Sequence, residues 1–163
     1  MIEIIKKFED YILKSKNLSI SNLEKDVECD EYFGYNFNVN ELSIKFRKAK
    51  ITPKKVGQFV TLWKRNNVKE TEPFDENDEF DYYIIATEEN SKLGFYIFPK
   101  SILIEKHILT STRKEGKRGF RVYPNWVKTE NKQAEKTQNW QQDYFVETIN
   151  NKVDSSQIKS LFQ

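Results

Sequence analysis

The chain has few of the residues that form disulfides or bind zinc. Its 163 residues include one cysteine, Cys29, and one histidine, His107. A single cysteine excludes an intramolecular disulfide, and the two residues together provide too few ligands for a structural zinc site. Thiolate catalysis would need them within hydrogen-bond reach of each other. We interpret them instead as a buried cysteine and a surface histidine of a protein in the reducing cytoplasm.

Long apolar runs are also missing. The longest, in residues 82–86 and 95–98, have the length of strands, whereas a membrane span needs about 20 apolar residues. Charged residues interrupt the amino-terminal segment, so we expect neither a signal peptide nor a membrane partner. Neither GxGxxG nor GxxxxGK[ST] occurs, which excludes the usual glycine-rich cradles for dinucleotides and nucleoside triphosphates.

Aromatic and charged residues are abundant. Aromatic side chains make up 14% of the chain and charged side chains 32%, with a mean hydropathy of -0.77. A chain of this length can bury about two thirds of its unfolded surface in one core, and the aromatic residues can fill that core. We predict a single domain over residues 1–163, with a polar tail after about residue 150.

Apolar periodicity predicts an α+β fold with a mixed central sheet flanked by helices. Residues 2–13 have the three- and four-residue spacing of an amphipathic helix, and a capping box from Ser21 to Glu24 predicts a short second helix. Another helix is predicted from Thr129 to about residue 147. Residues 102–109 fit either a helix or a strand. Strands are predicted at residues 31–39, 42–51, 59–63, 82–87, 94–98 and 120–123.

Charges of opposite sign are segregated along the chain. Residues 45–65 contain eight basic residues and no acid, whereas residues 70–89 contain many acids and no base. A basic segment within a sheet can neutralise phosphates, which is the main source of affinity for nucleic acids. The alternative is that the two segments are solvated faces that pair with each other.

A second basic segment is interleaved with aromatic residues. Lys117 and Arg118 lie between two glycines, where the backbone can approach an anion closely, and Arg121 follows next to Phe120 and Tyr123. This mixture is typical of a surface that holds phosphates while rings stack on bases. The alternative interpretation puts the aromatic residues in the core and leaves the glycine turn solvated.

Metal-dependent nuclease chemistry has weak support from the sequence. Such an enzyme needs carboxylates for Mg²⁺ or Mn²⁺ at a strand start, and an acid two residues before a lysine on the next strand. Glu31 fits the first requirement. At the second, Lys48 stands two residues before Lys50, where the acid is required. A lysine in the place of a ligand repels the metal, so we predict no metal site.

Four stretches resemble the bacterial MepB-like family in matching order: RKAKITPKKVGQFVTLWKR, PFDENDEFDYYIIA, GFYIFPKSIL and GKRGFRVYPNWVKTENKQAEKTQNWQ. They extend from Arg47 to Gln141. The resemblance implies a restriction-endonuclease-like fold of the PD-D/E-x-K superfamily and nucleic-acid binding without an established activity. It places Lys50 at the superfamily lysine and Asp81 before a strand of the sheet, but the acid expected before that lysine is replaced by Lys48.

From these observations we predict a non-catalytic nucleic-acid-binding protein that needs no cofactor. Two alternatives remain: a Mg²⁺-dependent nuclease using Lys50, Glu31 and Asp81, and a protein-interaction module in which the acidic loop 70–81 meets a basic partner. The residues predicted to contact phosphates or bases are Arg47, Lys50, Lys54, Lys55, Lys117, Arg118, Arg121, Tyr123 and Trp126.

Overall fold

A computed structural model describes residues 2–154 and residue 162. In chain order, the helices and strands are α1 (Glu3–Phe8), β1 (Ile20–Lys25), β2 (Tyr35–Val39), β3 (Leu42–Lys48), β4 (Lys50–Ile51), β5 (Gln58–Thr61), β6 (Trp63–Arg65), β7 (Thr71–Pro73), β8 (Tyr82–Glu89), β9 (Lys92–Pro99), α2 (Lys100–Glu105), β10 (Gly119–Val122), α3 (Lys132–Gln142) and β11 (Phe145–Thr148). A π-helical turn, Glu9–Leu13, extends α1, and 3-10 turns form at Lys14–Lys16 and Val27–Tyr32.

Six strands form the central sheet in the order β1-β2-β3-β8-β9-β11. All neighbours in it are antiparallel except β3 and β8, which run parallel. The predicted α+β class with a mixed central sheet is confirmed. No helix among the described residues is long and apolar enough to cross a lipid bilayer.

The middle strands of the central sheet, β8 and β9, are buried on both faces. Along β8, Ile84 points into one core and its neighbours Tyr83 and Ile85 into the other. In β9 the same alternation separates Phe95 from Tyr96. Because side chains alternate between the two faces of a strand, strands buried on both faces read as continuous apolar runs. This is why the sequence predicts these two strands well.

Helix α1 and its π-helical extension cover the first face. Ile5, Phe8 and Ile12 are completely buried there, and the ring of Phe8 packs edge-on against Phe95 at 5.3 Å. The helix predicted over residues 2–13 is therefore confirmed, because its apolar spacing matches one buried face.

A smaller sheet, β10-β5-β4, lies over the second face together with α2 and α3. Val60 and Val122 point inward from this sheet and are completely buried. The hydroxyl of Tyr83 in the central sheet donates to the carbonyl of Thr61 in β5 at 2.6 Å, which joins the two sheets. Strands β6 and β7 form a separate hairpin.

Two predicted helices differ from the structure. The capping box at Ser21 lies within β1, where Ser21 pairs with Asn38 and an irregularity follows before Glu24. The helix predicted from Thr129 to residue 147 is shorter, because Asn131 caps it at 2.8 Å and it ends at Gln142. Phe145 then pairs with β9. Residues 102–109, which fitted either a helix or a strand, form the end of α2 and the turn that follows it. Most of the polar tail predicted after residue 150 lies outside the described residues.

Arg47 is the largest completely buried side chain in the fold. It points from β3 into the second core, where it is 1% exposed. Its Nη2 donates to Oδ2 of Asp26 at 2.6 Å and its Nη1 to the carbonyl of Phe46 at 2.8 Å. A guanidinium held in this way stabilises the structure only while its carboxylate partner is present, because an unpaired buried charge is costly.

We expect Asp26→Ala to lower the free energy of unfolding by about 3 kcal/mol, because it leaves the Arg47 guanidinium buried without a counter-charge. Chemical denaturation monitored by circular dichroism measures this change. Asp30→Ala is the matched control, because Asp30 pairs with Lys25 at 2.7 Å with both side chains more than half exposed. The control should have a much smaller effect. Equal effects would contradict the importance given to the buried pair.

Candidate nucleic-acid interface

A groove lies between the smaller sheet and α3. It consists of two adjoining recesses of about 510 and 290 Å³, and Lys55, Arg121 and Tyr123 line both. Lys106 and Lys117 line the larger recess, whose described lining includes no carboxylate. The smaller recess is also lined by Lys54 and by one carboxylate, that of Glu130. We call this feature the basic groove. Concentrated positive charge in a concave surface attracts polyanions.

Three residues lie in register across the smaller sheet, and two of them, Phe59 and Arg121, line the larger recess. Arg121 in β10 pairs with Phe59 in β5, and Phe59 pairs with Lys50 in β4. Paired residues on antiparallel strands project to the same side. Phe59 is partly exposed, whereas the next residue, Val60, is completely buried. A ring with a basic side chain on either side therefore faces away from the core.

The guanidinium of Arg121 holds the loop that enters one side of the basic groove. Its Nε donates to the carbonyl of Val56 at 3.1 Å, and its Nη2 to Oγ1 of Thr52 at 2.6 Å. Nη2 also lies within hydrogen-bond distance of two further carbonyls in this loop. Gly57 ends the loop with a φ of +86°, and the ring of Tyr123 packs directly against it. A side chain at position 57 would strain both the backbone and this contact.

Two glutamines of α3 hold the opposite wall. Gln141 is completely buried, and its side-chain amide bridges the outer edge of β10. It donates to the carbonyl of Arg121 and accepts from the N–H of Tyr123, each at 3.0 Å. The side-chain amide of Gln138 lies within donating distance of three carbonyls in the segment after β10, those of Tyr123, Pro124 and Val127. The spacing of three residues places both amides on one side of α3.

The predicted phosphate-contacting residues fall into three groups. Lys54, Lys55, Lys117 and Arg121 line the basic groove. Lys50 borders it through the cross-strand row, with its ammonium 3.8 Å from Glu31 and 4.8 Å from the centre of the Tyr32 ring. Arg47 and Arg118 lie elsewhere.

Arg47 and Arg118 make structural contacts away from the basic groove. Arg47 is buried against Asp26, so no ligand reaches it. Arg118 is exposed, but its guanidinium donates to the carbonyl and hydroxyl of Thr71 in the β6–β7 hairpin. We therefore leave both residues out of the interface.

Much of the basic segment 45–65 pairs with acids instead of forming one face. Lys48 lies 3.0 Å from Glu88, and Arg65 donates to Glu28 at 2.8 Å. Lys45 is enclosed by aromatic rings, with its ammonium 4.6 Å from the centre of the Phe74 ring, and burial lowers its pKa. The alternative of oppositely charged segments that pair with each other therefore describes part of this segment.

The acidic loop is held by lysines of the same chain. Lys64 Nζ donates to both carboxylate oxygens of Asp78 at 2.8 Å and lies 3.6 Å from Asp75. Burial opposes the charge of Lys64, but its bond to Asp78 raises its pKa above the usual value. Lys100 donates to the carbonyl of Asp78. These contacts leave less of the loop's negative charge for a basic partner.

The two predicted stacking residues have different surroundings. Tyr123 lines both recesses of the basic groove. Trp126 lines a neighbouring cavity of about 340 Å³, which shares Lys55 with the groove. Its indole N–H donates to Glu89 at 2.9 Å, and its ring packs edge-on against Phe145 at 5.8 Å. Trp126 is therefore a wall of the adjacent cavity.

The nuclease candidates do not assemble. Asp81 accepts from the N–H of Ser43 at 2.7 Å, at the start of β3, whereas Lys50 and Glu31 lie beyond its other end. β3 has seven residues, which at ~3.3 Å per residue separates its ends by about 20 Å. In the part of the chain that the structure describes, no three histidine, cysteine or carboxylate side chains come together as a metal site.

The interpretation of the two single residues is partly supported. Cys29 is buried, and its sulfur lies 3.4 Å from the hydroxyl of Thr61. His107 is only partly exposed, and its Nδ1 is buried without a hydrogen-bond partner. His107 thus lies at the surface, as expected, but the turn after α2, in which it has a φ of +58°, brings one side of its ring inward.

Among the residues that line the basic groove, Phe59, Lys106 and Trp140 were not predicted from the sequence. The alternation of Phe59 with buried Val60 and Leu62 was the available signal, since it predicts that Phe59 faces the opposite side. Lys106 lies within residues 102–109, whose apolar spacing fits either a helix or a strand, so the sequence did not show which way its side chain points. Its ammonium lies 5.5 Å from the centre of the Trp140 ring.

Comparisons with known proteins agree on one family. A model of the MepB-like family matches residues 26–147. The fold is similar to a crystal structure of MepB, with a TM-score of 0.79 and 32% sequence identity over 91% of this chain and 98% of the other. A search of the curated proteins found no match.

We expect Gln141→Leu to lower the free energy of unfolding by about 2 to 4 kcal/mol, because it removes the hydrogen-bond partner of two part-buried groups, the carbonyl of Arg121 in β10 and the N–H of Tyr123 just after it. Gln142→Leu, the same substitution at the exposed neighbouring position, is the control and should change stability by about 0.5 kcal/mol or less. Urea denaturation of both variants provides the comparison. If the two glutamines prove equivalent, Gln141 does not hold α3 against β10.

Proposed function

This chain belongs to the MepB-like family, and we propose that it binds nucleic acid through the basic groove without cutting it. The observation that carries this proposal is the convergence of Lys55, Lys106, Lys117 and Arg121 on one recess whose described lining has no carboxylate. These residues come from three separate parts of the chain: the loop before β5, the turn after α2, and β10 with the turn before it. Phosphates that they neutralise would release counterions, which drives association.

The local structure supports a preformed interface. The loop carrying Lys54 and Lys55 is fixed by Arg121, and the α3 wall is fixed by Gln141. Ordering a flexible loop on binding costs free energy, so a loop already held in place binds more tightly for the same contacts. Arg121 therefore acts mainly as a positioning residue for the two lysines.

The finer fold assignment, a restriction-endonuclease-like domain, stays a prediction, as does a bacterial, cytoplasmic location. In that interpretation the chain keeps the scaffold of a nuclease without its metal site. The replacement of the expected acid by Lys48, which pairs with Glu88 at 3.0 Å, supports a non-catalytic protein. No contact among the described residues favours either alternative, a protein partner for the acidic loop 70–81 or a nuclease activity.

We expect the double variant Lys55→Gln/Lys117→Gln to weaken oligonucleotide binding and to flatten its salt dependence. Each lost phosphate contact should reduce the slope of log K against log salt concentration by about 0.7 to 0.9. Fluorescence anisotropy with labelled oligonucleotides at several salt concentrations measures both quantities. Affinity that is absent at low salt, or that does not change with salt, would overturn the proposal.

The control for this experiment removes the same total charge elsewhere. Lys6→Gln/Lys69→Gln changes two exposed lysines, one on α1 and one in the turn of the β6–β7 hairpin. If binding depends on the basic groove, this control keeps the parent affinity and salt slope. If it depends on net charge alone, the two double variants weaken binding equally.

We expect oligonucleotides to remain intact in the presence of the protein and Mg²⁺ or Mn²⁺. The physical reason is the distance of Asp81 from Lys50 and Glu31, which prevents the three from acting on one metal ion. Denaturing gel electrophoresis after prolonged incubation, with EDTA-treated samples alongside, tests this. Cleavage that EDTA abolishes, and that Lys50→Ala or Glu31→Gln removes, would establish the nuclease alternative instead.

A further inference from the structure

We propose that the nucleic acid bound in the basic groove is single-stranded, and that the ring of Phe59 stacks on an unpaired base. This inference rests on the proposed function and adds the form of the ligand and a specific contact. It follows from the position of one phenylalanine on the smaller sheet, which neither its hydrophobicity nor the packing of the core explains.

Phe59 is on the side of β5 opposite to the core. Its neighbours Gln58 and Val60 are buried at 1% and 0% exposure, whereas Phe59 is partly exposed and lines the larger recess. A phenylalanine needed only for packing would lie on the buried side of the strand. An aromatic ring on the open side of a sheet is the arrangement that single-strand-binding modules use for stacking.

The ring lies down on the sheet because the adjacent strand has a glycine there. A Cβ added at Gly119 would meet Cζ of Phe59 at 2.5 Å and its Cε2 at 3.0 Å. No real Cβ approaches so closely, so the ring occupies the space that a side chain at position 119 would need. One side of the ring is thus supported by β10, and the ring borders the groove above.

Basic side chains are placed for the backbone that would accompany a stacked base. Arg121 and Lys50 lie on either side of Phe59 in the cross-strand row. Lys117 and Lys55 line the same recess. A base on the ring therefore has cations within the same recess for its flanking phosphates. This combination of a stacking ring and a basic groove is sequence-tolerant, because every base has a flat face.

A duplex does not offer this contact. In a base-paired helix the faces of the bases are covered by their neighbours in the stack, so a protein ring reaches a base face only at an end or after unstacking, which costs a few kcal/mol. An unpaired strand exposes its base faces without that cost. DNA and RNA single strands share this chemistry, so both are ligands to test.

The experiment measures binding of the full chain to labelled single-stranded DNA, single-stranded RNA and the matching duplex by fluorescence anisotropy. We expect either single strand to bind more tightly than the duplex. Phe59→Leu should weaken single-strand binding about 5- to 150-fold, the range for loss of one stacked base, with an unchanged salt slope. Phe59→Trp should retain the affinity, because a larger ring still stacks.

Two further variants separate stacking from general damage. Gly119→Ala leaves Phe59 in the chain but displaces its ring, so it should weaken binding as Phe59→Leu does. Phe33→Leu changes a phenylalanine that is 47% exposed and lines neither recess of the basic groove, so it should leave binding unchanged. Thermal unfolding of each variant shows that the fold is retained.

The possible results distinguish the two proposals. Loss of affinity in Phe59→Leu and Gly119→Ala, with Phe59→Trp and Phe33→Leu like the parent, supports stacking on Phe59. Tighter binding of the duplex, or parent-like affinity of a folded Phe59→Leu variant, overturns the inference while leaving groove binding intact. Absence of binding to all three oligonucleotides overturns the proposed function itself.

Discussion

The candidate interface depends on the guanidinium of Arg121. It comes from β10, and its hydrogen bonds to the carbonyls and hydroxyl of the loop between β4 and β5 place Lys54 and Lys55 beside the smaller sheet. The same strand is anchored on its other edge by Gln141 from α3. One strand therefore positions both walls of the basic groove, so a change in β10 should alter both walls together. Arginine suits this position because its planar group donates in several directions at once.

Charge in this protein has two separate uses. In the core, Arg47 and Asp26 form a buried pair that fixes the 3-10 turn at Val27–Tyr32 against β3. On the surface, several lysines of the basic segment pair with carboxylates, as Lys64 does with Asp78. The basic groove differs because its lysines arrive from distant parts of the chain, and the described residues of its larger recess bring no acid with them. The arrangement of the charges, more than their number, distinguishes it.

Local pattern was sufficient for much of the fold. The apolar runs of β8 and β9 and the amphipathic spacing of the first helix identify those elements directly. The sequence could not predict that residues after Gln142 return to the central sheet, because Phe145 and Val146 fit a helix equally well and only the unpaired edge of β9 favours a strand. The sequence predicted part of the basic groove, because Lys55, Lys117 and Arg121 lie in its two basic segments. Phe59 was missed because its role depends on which side of β5 is buried.

The side-chain amide of Gln141 has a further consequence for the behaviour of the protein in concentrated solution. An uncovered strand edge presents main-chain donors and acceptors that a second molecule can pair with, which leads to strand exchange or aggregation. Gln141 from α3 occupies two of these groups along the edge of β10, the carbonyl of Arg121 and the N–H of Tyr123 just after the strand. At the border of the central sheet, β1 is interrupted by a register irregularity and has charged residues at its end. Both features discourage the growth of a sheet from one molecule to the next, one at an edge of the smaller sheet and the other at an edge of the central sheet.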